Sequence, residues 1–154
     1  MPRLYRLVRR KFSRPVDLLS GQGAALVGGR WNEKGTRLVY TTSHASLALV
    51  EALVHSPTLP KDMLLVAVDV PDALVLARWH PGKLPGDWAT YPAPASTQLR
   101  GTRWAKRGRE LGVWVPSAVV PAEWNCLINP VHPDIAQVTA RVLGPFRFDP
   151  RLRP

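Results

Sequence analysis

Glu51, Arg30 and Tyr40 are the residues whose types and spacing invite chemistry. Glu51 lies in Ala45-Ser46-Leu47-Ala48-Leu49-Val50-Glu51-Ala52-Leu53-Val54, where only Ser46 and Glu51 are not apolar. An ionised carboxylate in such a run needs a partner, or work that offsets its lost hydration. Upstream, Arg30 follows a glycine pair in Gly28-Gly29-Arg30-Trp31-Asn32, and Tyr40 stands in Leu38-Val39-Tyr40-Thr41. Glycine admits tight turns and close approach, a guanidinium offers paired donors to phosphate, and a phenol ring can stack. The three types together suit a phosphorylated, ring-bearing ligand. There is no G-x-G-x-x-G opening a helix and no P-loop pattern, so the glycine pair is not a nucleotide fingerprint of either kind.

Bland readings stand beside these. On a helix, His44, Ala48, Glu51 and His55 fall at i, i+4, i+7 and i+11 and share one stripe. Glu51 and His55 are one turn apart, a spacing that suits a metal. Zinc sites recruit three or four ligands, however, and no third is evident, so no metal is assigned. The stripe reads as one wall of a polar pocket, and a Glu51–Arg ion pair buried for specificity reads equally well. Tyr40 is equally readable as a core residue with a satisfied hydroxyl. Ser117, in Val115-Pro116-Ser117-Ala118-Val119-Val120-Pro121, has no G-x-S-x-G around it and reads as a hydrogen-bonding group at a strand edge.

The elements that must position these residues follow from local pattern. Leu4 to Val8, Arg37 to Thr42, Met63 to Val70 and Gln137 to Leu143 read as strands, the third central and covered on both faces. Asp17 to Leu26 reads as a short helix stopped by Gly28-Gly29. Ser43 offers an N-cap for a helix that runs to about His55, before Pro57 and Pro60. That helix is apolar around most of its circumference and predicts packing on more than one side. Pro71 to Ala95 reads as an ordered loop. Ala95 to Leu111 reads as an amphipathic helix with Leu99, Trp104 and Leu111 on its apolar side and its basic residues in solvent. Short strands are expected at Val113 to Pro116 and Ala118 to Pro121, then a punctuated loop from Trp124 to Pro133. Phe146 to Phe148 reads as pairing beside the last strand, and Pro150 to Pro154 as a tail. Strands and helices are mixed without a regular βαβ series, so the class is α+β with a mixed β-sheet core and flanking helices.

A chain of 154 residues fits a single domain, 1–154, with a core that needs no staples. One cysteine, Cys126, excludes an intramolecular disulfide framework and reads as a buried small hydrophobe. No run approaches a membrane span, and the basic N-terminus lacks the features of a signal peptide, so a cytoplasmic protein is expected. The net charge of +10, concentrated in Arg3 to Arg14 and Arg100 to Arg109, calls for an anionic partner: nucleic acid, a phosphorylated ligand or an acidic protein. A nucleic-acid-binding module would use the 100–109 segment with Trp79, Trp88 and Trp104 as stacking partners. It offers no reason for Glu51 and ranks second.

Taken in order, Gly28-Gly29-Arg30-Trp31-Asn32 through Gly35, Val39-Tyr40-Thr41 and Ser46-Leu47-Ala48-Leu49-Val50-Glu51 resemble the first half of the RES domain. Leu84-Pro85-Gly86-Asp87-Trp88, Gly101-Thr102-Arg103-Trp104, Val115 to Pro121 and Glu123 to Asp134 resemble its second half. The Arg, Glu and Ser of the family's name correspond to Arg30, Glu51 and Ser117. The resemblance implies a fold similar to ADP-ribosyltransferase toxins and the toxin of a bacterial toxin–antitoxin pair. Its partner would be an Xre-type helix-turn-helix antitoxin, in a hetero-oligomer that contacts DNA only through the antitoxin. It further implies consumption of NAD+, as substrate rather than cofactor, by hydrolysis or phosphorolysis of the nicotinamide–ribose bond. ADP-ribosylation of a protein target is the alternative. By this resemblance Glu51 is the catalytic carboxylate, Arg30 grips the pyrophosphate and Tyr40 stacks on or bonds near the nicotinamide. Ser117 orients the nicotinamide ribose or Glu51 itself. His44 and His55 receive no role.

Overall fold

The computed structural model describes residues 2–153. Strands β1 (Arg3–Arg9), β2 (Val39–Thr42), β3 (Met63–Asp69), β4 (Leu76–Arg78), β5 (Gly112–Pro116), β6 (Trp124–Ile128) and β7 (Thr139–Phe146) form one mixed sheet. Their order is β4-β5-β6-β2-β1-β3-β7, with β4 and β5 parallel and every other pair antiparallel. Helices α1 (Pro15–Leu18), α2 (Gln22–Val27), α3 (Ala45–Val54) and α4 (Ala95–Arg107) flank it, so the architecture is α+β as expected. The sheet is not equally knit throughout. β1 runs beside β3 from Arg3↔Asp69 to Arg9↔Met63, whereas β1 and β2 meet only at Tyr5↔Thr42. The sheet therefore parts beyond that pair, and α3 packs across the junction against both β1 and β2.

Alternation along β6 divides the core in two. Cys126 and Ile128 join Leu4, Val39, Val66 and Val68 on one face, while Leu127 joins Trp31, Trp104, Val113 and Val115 on the other. Burial pushes the Cys126 thiol up to about 12, which leaves it an inert small hydrophobe. In β3, Val66, Ala67 and Val68 are all buried, as a strand covered on both faces requires. Its place is one strand in from the β7 edge.

Several local expectations give way to tertiary context. The helix expected over Asp17 to Leu26 is two short ones, broken at Gly21, whose φ of +67° a side chain would strain. The segment beginning at Trp124 is the interior strand β6 rather than a loop, and Asn125 pairs with Thr42 on one side and Val115 on the other. Ala118 to Pro121 is a turn instead of a strand, because the Ser117 hydroxyl captures the backbone N–H groups of Val119 and Val120. The loop from Pro71 to Ala95 contains β4, whose parallel partner lies far along the chain.

Helix α3 begins after His44 and not Ser43, with the Ala48 N–H donating to the His44 carbonyl. Helix α4 stops at Arg107, where Gly108 takes a φ of +63°. Its buried side is Thr97, Gly101, Thr102, Trp104 and Ala105; Leu99 is exposed. Phe146 is the last residue of β7 and stacks edge-on with Phe148. The expected tail is docked: Arg153 donates to the Leu53 and Ser56 carbonyls at the C-terminal end of α3. Pro154 lies outside the described residues.

Candidate active site

Ser117 follows β5 directly and is fully buried. Its Oγ accepts from Val119 N at 3.1 Å and Val120 N at 3.0 Å, which uses its lone pairs. The hydroxyl proton is then committed to Glu51 Oε1 at 2.8 Å. Asn125 Nδ2 donates to the same oxygen at 2.9 Å. Two strand-borne donors thus converge on one oxygen of a carboxylate held by α3, while Oε2 accepts no hydrogen bond from the described residues. Glu51 is half-buried and forms no salt bridge among the described residues, so the buried ion pair read from periodicity is not present.

Arg30 influences Glu51 from a distance. Burial holds its pKa below the usual guanidinium value, and the charges of Glu51 and Tyr40 oppose that shift. Its Nη1 donates to the Trp88 and Thr90 carbonyls at 2.9 and 2.7 Å, pinning the proline-rich loop, while Nε and Nη2 make no hydrogen bond among the described residues. The Tyr40 hydroxyl donates to Asn32 Oδ1 at 2.6 Å and accepts from Trp31 N at 3.0 Å. Burial raises its pKa well above the ordinary tyrosine value. The hydroxyl therefore serves the Gly28–Asn32 loop, and only the ring remains to meet a ligand.

That loop is fastened to α4. Gln98 Nε2 donates to the Gly29 carbonyl at 3.0 Å, and Thr102 Oγ1 accepts from Glu33 N at 2.9 Å. Asn32, fully buried, donates through Nδ2 to the carbonyls of Ala24, Glu33 and Thr36. Gly101 makes this approach possible, since a Cβ there would lie 1.7 Å from the Trp31 carbonyl oxygen. Glycine in the middle of α4 is thus a packing requirement.

The structure thus brings Ser117 onto Glu51, sets Arg30 within electrostatic reach and turns the Tyr40 hydroxyl to the loop. The histidines do not join them. His44 is exposed, with Nδ1 3.9 Å from Glu123 Oε1, and His55 is exposed beyond the end of α3. Asn125 was missed because Asn and Pro signals made its segment read as loop. The cue was a lone amide in an otherwise apolar Trp124–Ile128 run. Trp104 is 3% exposed and donates to Glu110, while Trp79 packs on Trp31 and Trp104 beneath the Arg100 guanidinium. Trp88 packs against the same core, so Trp104 and Trp88 are taken up by the protein's own packing, while Trp79 is half-buried beside the Arg100 basin. Two surface basins, of about 620 Å³ beside Arg9 to Lys11 and Lys61 and about 360 Å³ beside Trp79 and Arg100, are lined by none of Arg30, Tyr40, Glu51 and Ser117.

A mixed sheet whose β5 end and β6 supply donors to a helix-borne carboxylate, with a guanidinium within electrostatic reach, defines an α+β domain with a carboxylate-centred site. The RES domain family matches residues 3–149, and the chain belongs to that family. A Sphingobium protein named Prs ADP-ribosylating toxin is 42% identical over 141 residues, 89% of this chain and 88% of the relative. A Yersinia enterocolitica protein named Toxin Res is 39% identical over 97% of this chain and 99% of its own length. Among solved structures, a chain of the M. tuberculosis MbcT–MbcA toxin–antitoxin complex shares the fold. The TM-score is 0.69 at 23% identity, covering 92% of this chain and 84% of that one. No helix among the described residues is long and apolar enough to cross a membrane.

Proposed function

We propose that this chain is the toxin of a toxin–antitoxin pair and destroys cytoplasmic NAD+ by cleaving its nicotinamide–ribose bond. One observation carries the reading: a half-buried carboxylate that is oriented by two neutral donors and, among the described residues, lacks a salt bridge and keeps Oε2 unengaged. A carboxylate present for structure alone would be expected to pair with a cation. In the proposed reaction the C1′–N bond breaks and its electron pair neutralises the pyridinium nitrogen, so nicotinamide leaves without a general acid. The positive charge that develops on the ribose is stabilised by Glu51. Arg30, through Nε and Nη2, holds the pyrophosphate, and the Tyr40 ring lies against the ligand. The acceptor is water, which returns a proton to solvent, or inorganic phosphate. An Xre-type helix-turn-helix antitoxin is the proposed partner, bringing any DNA contact with it.

Transfer of ADP-ribose to a protein shares the bond-breaking step, and the name of the Sphingobium relative favours this second reading. Incubating antitoxin-free protein with NAD+, with and without phosphate, separates the outcomes. Free ADP-ribose supports hydrolysis, ADP-ribose phosphate supports phosphorolysis, and label fixed on a protein only when that protein is added supports transfer. Intact NAD+ under every condition overturns the proposal.

A further inference from the structure

Asn125 carries an imbalance in its hydrogen bonding. Its Nδ2 is bound to Glu51, yet its Oδ1 is buried and has no hydrogen-bond partner among the described residues. Buried amide oxygens are ordinarily paired, and an orphan costs free energy. Rotating the amide by half a turn would not cure this. It would set Oδ1 against Glu51 Oε1, two acceptors face to face, and would leave the N–H group as the orphan instead. The amide orientation is thus set by the carboxylate, and the fold tolerates an unsatisfied carbonyl in order to aim one N–H at Glu51.

The backbone makes that aim rigid. Asn125 sits inside the sheet, paired with Thr42 of β2 and Val115 of β5. Its side chain projects from the face that also carries Leu127 and Val115. Ser117 reaches the same Oε1 from the end of β5, and its own hydroxyl is immobilised by two backbone N–H groups. With two donors on Oε1, the carboxyl plane has little freedom, and Oε2 is the oxygen left for a substrate.

We infer that Asn125 is a positioning residue for the reaction: with Ser117 it saturates Glu51 Oε1 and presents Oε2 to the ribose. This rests on the proposed NAD+ chemistry and adds to it the device that orients the carboxylate. Asn125 touches Glu51 and acts through it. A residue kept for this purpose differs from a structural one in a measurable way, since replacing it need not harm the fold. A leucine of similar size would remove the orphaned carbonyl along with the donor.

The test uses the full-length chain, with nicotinamide release for activity and thermal unfolding for stability. Asn125→Asp changes shape least and exchanges the donor for an acceptor that faces Glu51. The expected result is a fall in kcat on the order of 10²-fold with KM for NAD+ changed by less than about threefold. Asn125→Leu should lower kcat comparably while its unfolding midpoint stays within about 3 °C of wild type or rises. Should the Asp variant fail to fold, the Leu variant decides alone. Either folded variant with kcat within threefold of wild type overturns the inference. So does an Asn125→Leu protein, folded or not, whose stability collapses, because that marks a structural role. Wild type that leaves NAD+ intact overturns the underlying proposal, a result separate from an active wild type joined to active Asn125 variants.

Discussion

Glu51 on α3 and the arginines of α4 both present charge from helices, and they treat it in opposite ways. Glu51 is a single acid in an apolar helix, and one of its oxygens is taken up by Ser117 and Asn125 from the strands beneath. Arg100, Arg103 and Arg107 line an open basin of about 360 Å³ with Trp79, Pro85, Ser96 and Leu99. Arg100 lies over the Trp79 ring, while Arg103 and Arg107 are exposed. The arginine region is one of the two basic concentrations of the chain, and the lone acid gathers donors from distant segments. Concentrated charge describes a surface and the partners it attracts. Chemistry is marked by a group that several distant segments constrain at once.

Glu51 should show the largest effect. Glu51→Gln keeps the shape and removes the charge, and NAD+ consumption should drop by roughly 10²–10³-fold, ~3–4 kcal/mol of transition-state stabilisation. Nicotinamide release measures this, with circular dichroism to show an intact fold; activity above a tenth of wild type would remove the carboxylate from the mechanism. Next comes Gly101→Ala, which tests whether α4 matters as the seat of the loop and not as a ridge of charge. A Cβ 1.7 Å from the Trp31 carbonyl forces helix and loop apart. Overpacking of this kind should cost about 3 kcal/mol in denaturant unfolding, and a loss below 0.5 kcal/mol would place the loop elsewhere.

Ser117→Ala sharpens the contrast between committed and uncommitted groups. It deletes a donor to Glu51 and also strands the N–H groups of Val119 and Val120. Stability should fall by about 1–3 kcal/mol, and kcat by about tenfold or more. An undiminished kcat would detach Ser117 from the carboxylate. For Tyr40→Phe the loss is the bridge between Trp31 N and Asn32 Oδ1, about 1–2 kcal/mol of stability. KM for NAD+ should move by less than about threefold, because the ring remains. A tenfold rise would return the hydroxyl to the ligand. The smallest effect belongs to the arginine ridge: Arg103→Gln with Arg107→Gln should leave NAD+ consumption within about twofold and the unfolding midpoint unchanged. A tenfold loss of activity would join the ridge to the site and end the comparison.

Much of this was legible residue by residue. Strand β1 follows from alternation over Leu4 to Val8, β3 from a near-continuous apolar run, and helix α3 from its composition between Ser43 and Pro57. Arg30, Glu51 and Ser117 stood out because their neighbours gave no local reason for them. The errors lie where a long-range partner reverses a local preference. Trp124–Ile128 carries turn-forming neighbours but gains β2 on one side and β5 on the other. Leu76–Arg78 is too short to be read as a strand until β5 lies beside it in parallel. Gly101, within a segment read simply as an amphipathic helix, is the place where the helix must admit a carbonyl.

By itself the sequence determined the α+β class, the apolar setting of Glu51, the inertness of its single buried cysteine and the family to which the order of motifs belongs. Those properties depend on residue type, period and spacing along the chain. Only the tertiary structure decided that the sheet parts beyond Tyr5↔Thr42 and that Asn125 joins Ser117 on one oxygen of Glu51. It likewise turned the Tyr40 hydroxyl to the loop and left His44 and His55 outside. Hydrogen bonds act over about 3 Å between groups 66 and 74 positions apart in the chain, and no local pattern encodes which donor will meet which acceptor. That choice belongs to strand register, where a shift of one residue would turn Asn125 to the opposite core and leave the carboxylate without its second donor.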